Sequence, residues 1–232
     1  MSKPAWTEKS TKILETASDL PRYNRWLISN FSPHFGKTIL EIGSGTGALS
    51  AFFPKESFKT LTDIRPEFIS ILKLNFSDQV EFYDIEKDEV GGFKGQFDTI
   101  FSSNVFEHIE RDQIALNKCF EILAPSGRLL LFVPACQEIF GSLDKDMGHY
   151  RRYTLDELKK KVEIAGFMVE RIFYANLPGY FTWWARGHLI SSKSNDSLFG
   201  KLFDSLITPL IYIEKFIKPP FGQSLVLVAK KK

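Results

Sequence analysis

The sequence predicts an α/β protein: a doubly wound, mostly parallel sheet of seven strands, with an antiparallel last strand and a helical, aromatic insertion before it. Three observations predict it. Short apolar runs alternate with helical patterns from Ile39 to Val133, as parallel strands joined by crossover helices do. Residues 128–133 (RLLLFV) form a continuous apolar run, the pattern of a strand covered on both faces. Beyond Gly166, two strand-like segments (167–175 and 224–230) are separated by a long segment rather than by one compact helix. That arrangement suits an antiparallel hairpin at one sheet edge.

Taken in order, residues 1–36 read as a polar, partly helical arm. Residues 37–43 (KTILEIG) are a buried strand ending in glycine, and the glycine-rich turn after it leads into a helix over 48–53. A second strand covers 60–64, and Pro66 suits the first position of a helix through about residue 76. Strands follow at 80–83 and 97–102. Asp112 is placed to cap a helix running to Leu123, which Pro125-Ser126-Gly127 stops. Thr154 with Glu157 forms a capping box for a helix that ends at Ala165 before Gly166. The chain therefore reads as one domain over residues 1–232: the arm, a core at 37–175, a lid-like insertion at 176–223, and the last strand with a basic tail at 224–232. The insertion holds Trp183, Trp184 and a helically spaced stripe from Leu198 to Ile211 that Pro209 kinks.

Composition excludes several classes. With 232 residues, 44% of them hydrophobic, the chain can build one sizeable core. Thirty basic against 28 acidic side chains leave a net charge of +2, which argues against a polybasic nucleic-acid binder. Two cysteines exclude a disulfide framework, and the four scattered histidines form no metal-ligand spacing, so no metal is expected. The polar opening and the lack of a membrane-length apolar run lead to the expectation of a cytoplasmic protein, with peripheral membrane contact left open.

The chemistry concentrates in Glu41-Ile42-Gly43-Ser44-Gly45-Thr46-Gly47, which follows a strand. Glycines belong there because the backbone turns sharply and must approach a ligand closely. Two ligand classes compete: a dinucleotide, for which Gly43, Gly45 and Ala48 supply a GxGxxA fingerprint, and a methyl donor. Asp63 serves a ribose in either case. Glu41 and the tight Gly43/Gly45/Gly47 spacing resemble motif I of the class I S-adenosylmethionine-dependent methyltransferases. Asp63 at the second strand end, Asp84 after the third, residues 97–109 as the fourth strand and its loop, and EILAPSGRLLLFVP at 121–134 resemble that family's further elements in order. The resemblance covers roughly residues 23–173 and the last strand, and extends to quinone-biosynthesis O-methyltransferases and bacterial homologues.

The resemblance implies a Rossmann-like fold, S-adenosyl-L-methionine as cofactor and S-adenosyl-L-homocysteine as product. It implies that Glu41, Gly43, Ser44, Gly45 and Gly47 shape the cofactor loop. Asp63 and Ile64 would hold the ribose side, Asp84 and Ile85 the adenine, and Asn104 the methionine. Tyr23 and Trp26, in the string RYNRW, would close a helix over the cofactor. The string GHYRRYT around His149 resembles an acceptor loop, which makes Tyr150, Arg151, Arg152, Tyr153 and Trp183 substrate candidates. His149 is the first candidate base, and His108, beside Glu107, the second. The expected activity is methylation of a small or lipid-like acceptor, at oxygen. The alternatives are a nicotinamide-dependent oxidoreductase and a non-catalytic cofactor-binding or membrane-associated protein. The insertion has four open readings: pocket lid, membrane contact through 198–217, homodimer face, or packing on the sheet edge.

Overall fold

The computed structural model describes residues 20–188 and 203–232. Seven strands form one sheet in the order β3-β2-β1-β4-β5-β7-β6. They are β1 (Thr38–Ile42), β2 (Phe58–Asp63), β3 (Gln79–Phe82), β4 (Phe97–Ser103), β5 (Leu123–Pro134), β6 (Phe167–Ala175) and β7 (Ser224–Lys231). The first five pair in parallel. β7 runs antiparallel to both β5 and β6, so the last strand of the chain lies inside the sheet and β6 takes the edge. The reason is compositional: Ser224 to Ala229 are all buried, as an interior strand requires, whereas β6 is largely half-exposed.

Alternating side chains of β5 serve opposite faces. Leu129, Leu131 and Val133 pack under helices α3 (Asp112–Ile122) and α5 (Leu155–Ile164), against Leu116, Cys119, Leu158 and Val162. Leu130 and Phe132 face the other layer, with Trp26, Leu27 and Ile28 of α1 (Pro21–Ser29). Phenylalanine fills that second layer: Phe31, Phe35 and Phe53 surround Phe101 with ring centroids 5.2–5.8 Å from it. Each such buried side chain contributes about 1.5–3 kcal/mol. The remaining helices are α2 (Pro66–Asn75, with Pro66 in the first turn as expected), α4 (Ser142–Asp146) and α6 (Leu177–His188). Residues 203–215 form successive π, α and 3-10 turns, with Pro209 where the π turn gives way to α geometry.

Several local expectations are corrected. No α-helix follows the glycine loop; only a 3-10 turn, Ser50–Phe52, forms there. Pro54 forces Phe53 into extended backbone (ψ 158°), and the chain must reach β2 at Phe58, so no room remains for a helix. Asp112 does not cap α3, whose N-cap is Arg111. Its carboxylate is spent instead on Arg151, Lys161 and the Tyr153 hydroxyl, each at 2.9 Å. β5 begins at Leu123, which pairs with Phe97 before a register shift, while Ser126 turns the chain at φ 63°. The Thr154 cap holds: its Oγ1 accepts from the Glu157 amide at 3.2 Å. Leu198, Phe199 and Leu202 of the insertion stripe, and the arm before residue 20, lie outside the described residues.

Candidate active site

A cavity of about 220 Å³ opens beyond the carboxyl ends of β1, β2 and β4. The strand order reverses between β1 and β4, and ligands of open α/β sheets gather at such a point. The glycine loop forms its floor, and Tyr23, Asn24 and Leu27 of α1 form its roof.

Gly43, Gly45 and Gly47 all have positive φ (75°, 56° and 82°), the left-handed region that glycine alone adopts without cost. Their surroundings differ. A Cβ on Gly43 would fall 2.3 Å from Val105 Cγ2, and one on Gly47 2.2 Å from the Phe76 ring. One on Gly45 would meet no protein atom within 4 Å, which leaves the loop's middle backbone open to a ligand. The loop is pinned from behind, with the amides of Gly43 and Ser44 donating to the Thr62 carbonyl at 2.9 and 2.8 Å.

Asp63 ends β2 and joins the two sides of the cavity wall. Its Oδ2 accepts from the Gly45 amide and its Oδ1 from the Arg65 amide, both at 2.9 Å. Burial raises the Asp63 pKa, with those two hydrogen bonds working the other way. Each oxygen retains acceptor capacity for a hydroxyl. Ile64, Asp84, Ile85 and Asn104 also line the cavity, Asp84 with its carboxylate 3.1 Å from Lys87 Nζ. Asn104 sits at φ 52°, held by the hydrogen bond that its backbone N–H donates to the Phe132 carbonyl at 2.8 Å. A non-glycine residue fixed there stores strain of a kind that clusters at ligand sites.

Three residues expected at the cofactor, Glu41, Gly47 and Trp26, do not line the cavity. Glu41 lies behind the loop, hydrogen-bonded by the Ser50 hydroxyl, and burial pushes its pKa to about 7. It ties β1 to the 3-10 turn. Trp26 is 1% exposed and packs edge-on against Phe132 in the second core layer.

The acceptor-side candidates separate in the same way. Within the string GHYRRYT, Arg152 and Tyr153 are buried, and Arg151 is held by Asp112 and the carbonyls of Ile109 and Glu110. Arg152 donates to Asp144 at 2.8 Å and to the Ala135 carbonyl at 3.0 Å. Neither arginine, nor Tyr150, Tyr153 or Trp183, lines the cavity. Burial and ion pairing explain the arginines: they are fixed to carboxylates of their own chain. Trp183 donates its indole N–H to Asp144 Oδ2 at 3.1 Å.

His108 lines the cavity; His149 stands behind it, ring edge to ring face, with centroids 4.7 Å apart. His149 Nδ1 is 2.8 Å from Asp144 Oδ1, and its Nε2 is 3.9 Å from Glu107 Oε1. Burial works against the Asp144 carboxylate, but the His149 hydrogen bond and Arg152 outweigh it and hold its pKa below the ordinary value. The Glu107 carboxylate is fully buried, and neither oxygen has a hydrogen-bond partner among the described residues. Burial pushes its pKa to about 7, against the pull of His149. Glu107, His108 and His149 also place one ligand-capable atom each within 4.8 Å of one another, a grouping that the scattered sequence spacing did not reveal. Asp144 is the hub of this cluster, meeting Arg152, His149 and Trp183 through a turn.

The sheet order, the buried antiparallel last strand and the open glycine loop beside Asp63 define a nucleotide-binding α/β domain of the methyltransferase kind. A protein-family model described as a methyltransferase domain matches residues 40–129. The ubiquinone biosynthesis O-methyltransferase of Psychrobacter arcticus is 26% identical over 152 residues, spanning 57% of this chain and 59% of that protein. A non-reducing polyketide synthase of Penicillium brasilianum is 29% identical over 124 residues, 48% of this chain and 5% of the synthase. The chain therefore spans only part of the length of these curated relatives. Among solved structures, an S-adenosylmethionine-dependent methyltransferase from Archaeoglobus fulgidus has a TM-score of 0.63 at 20% identity, covering 91% of this chain and 94% of that one. A chain of the complex between the Haloferax volcanii Trm112 methyltransferase activator and a methyltransferase has a TM-score of 0.65 at 15% identity, covering 96% and 93%. Residues 40–129 thus match a methyltransferase domain, and the fold is that of solved S-adenosylmethionine-dependent methyltransferases. The cofactor of that family suits the residues present: an open backbone at Gly45, an acid for hydroxyls at Asp63, and apolar flanks at Ile64 and Ile85.

Proposed function

We propose that this protein transfers a methyl group from S-adenosyl-L-methionine to an oxygen of a small or lipid-like acceptor. The observation that carries the reading is the Asp63–Gly45 hydrogen bond, which sets a buried carboxylate beside a loop with open space over its central glycine. When bound, the cofactor supplies an electrophilic methyl group on a sulfonium. The chain's own tasks are to hold, align, exclude water and remove a proton.

Asp63 accepts the ribose hydroxyls, and Asp84 accepts from the adenine amino group between Ile64 and Ile85. Asn104 lines the methionine end, while Tyr23 and Leu27 roof the site against water. His108 takes the acceptor's hydroxyl proton on an imidazole nitrogen as the oxygen attacks. His149 is a positioning residue in this reading: Asp144 fixes it, and its ring edge fixes His108. Oxygen as the acceptor atom is supported by the names of the ubiquinone biosynthesis relatives. A nicotinamide cofactor is disfavoured because a pyrophosphate calls for an α-helix N-terminus after the loop, and only a three-residue 3-10 turn is there.

Calorimetry tests the cofactor: binding of S-adenosylhomocysteine is expected, and affinity for NADH with none for S-adenosylmethionine overturns the reading. Release of S-adenosylhomocysteine in the presence of a panel of phenols and lipid-like alcohols tests the acceptor. On an accepted substrate, His108→Ala should lower kcat by roughly 10²–10⁴-fold with cofactor binding retained. Unchanged turnover removes His108 from its role.

A further inference from the structure

The helical stretch 203–215 is built inside out. Its inward side carries Asp204, Thr208, Ile211 and Glu214, all buried. Both acids cap helices elsewhere: Asp204 accepts from the amides of Arg22 and Tyr23 at the start of α1. Glu214 accepts from those of Asn176 and Leu177, each at 2.8 Å, at the start of α6. The stretch's negative charge is thereby turned away from solvent.

The outward side is apolar. Leu206, Leu210, Ile213 and Ile217 recur at three- and four-residue intervals and are between 53% and 72% exposed. Phe216 is 88% exposed, and Trp184 of α6 is 43% exposed. Folded proteins seldom leave so continuous an apolar surface in water unless it meets something. Among the described residues, the charged side chains exposed here are cationic: Arg22, which donates to the Ser205 carbonyl, and Lys218, whose ammonium lies 3.9 Å from the Phe173 ring centroid.

We propose that this face docks the protein on an anionic lipid bilayer, with Leu206, Leu210, Ile213, Phe216 and Ile217 entering the interface and Arg22 and Lys218 meeting the head groups. Charge selects the occupant. A second copy related by a two-fold axis would bring the same cations against one another, whereas an anionic bilayer complements them. The inward acids matter as much, since exposed carboxylates at the same positions would repel that surface. The proposal stands independently of the methyl-transfer reading.

The test is co-flotation of the full chain with vesicles of phosphatidylcholine alone and of phosphatidylcholine mixed equally with phosphatidylglycerol. Partition is expected to be at least about tenfold higher on the mixed vesicles, two cations contributing several-fold each. The double variant Phe216→Ser/Ile217→Asn should lower it by about tenfold or more with an unchanged Tm, since both side chains are already in water. Lys218→Gln should lower the preference for anionic lipid. Failure to bind either vesicle, or equal partition of wild type and the double variant, overturns the proposal. A concentration-dependent dimer abolished by the double variant, without vesicle binding, assigns the face to a second copy and overturns it equally.

Discussion

The Asp204 carboxylate accepts the Tyr23 backbone N–H at 2.8 Å and the Arg22 N–H at 3.3 Å, which links residues 181 and 182 positions apart in sequence. The bond caps α1, the helix that roofs the cavity with Tyr23, Asn24 and Leu27. Tyr212 adds a hydrogen bond from its hydroxyl to the Arg22 carbonyl at 3.3 Å, and the Phe203 ring packs edge-on against Tyr23. The insertion thus holds the roof of the site in place.

Asp204→Ala should therefore cost about 1 kcal/mol of stability, the usual worth of an N-cap, and weaken cofactor affinity as the roof loosens. Asp204→Asn, which keeps an accepting oxygen, should retain most of both. Thermal denaturation and calorimetric titration with S-adenosylhomocysteine check the pair; equal loss in both variants would contradict capping.

Two glycine substitutions should separate folding from binding. Gly45→Ala meets no protein atom and costs only the backbone strain of its φ of 56°, about 1–2 kcal/mol, yet its methyl occupies ligand space. Folding with at least about tenfold weaker cofactor binding is expected. Gly43→Ala adds a clash with Val105 to the strain, so its Tm should fall further than that of Gly45→Ala.

Glu107 predicts a pH-dependent stability. Its carboxyl titrates at about 7 in the folded chain against an ordinary value of 4.5. The folded state therefore holds the proton more tightly than the unfolded state, and stability falls as pH rises from about 4.5 to about 7, then levels. Glu107→Gln removes that loss. It should be more stable than wild type at pH 8 by roughly 1–3 kcal/mol, with a smaller difference at pH 5. Urea unfolding at the two pH values measures it; the opposite order would mean that Glu107 is ionised and well paired.

Asp144 predicts a large single-site effect. The Arg152 side chain is 1% exposed and its guanidinium has Asp144 at 2.8 Å. Asp144→Ala leaves that cation buried, releases His149 and strands the Trp183 indole N–H, for a cost of about 3–5 kcal/mol. Chemical denaturation checks this. A loss below 1 kcal/mol would show that the cluster relaxes around water.

The elements that sequence made legible are those whose cause is local. Residues 38–42 and 129–133 are apolar runs bounded by glycine, Thr154 sits three residues before Glu157, and Pro66 opens α2; each forms as its neighbours dictate. The glycine loop and Asp63 were legible for the same reason, since a left-handed turn after a strand and an acid at the next strand's end are chain-local features. The helix expected over 48–53 failed because Pro54 holds Phe53 in extended backbone and the chain enters β2 at Phe58. Asp112 was misread because a cap and an ion-pair hub look identical in one dimension.

What the amino-acid order determined alone was therefore the alternation of strands and helices, the methyltransferase resemblance and the floor of the cavity. What only tertiary structure decided was which polar groups reach that cavity. His108 faces it and His149 does not, Arg152 is consumed by Asp144, and Asp204 crosses from the insertion to cap α1. Those choices depend on side chains that meet from distant positions under burial, where an unpaired charge costs several kcal/mol and each carboxylate goes to the partner that removes that cost.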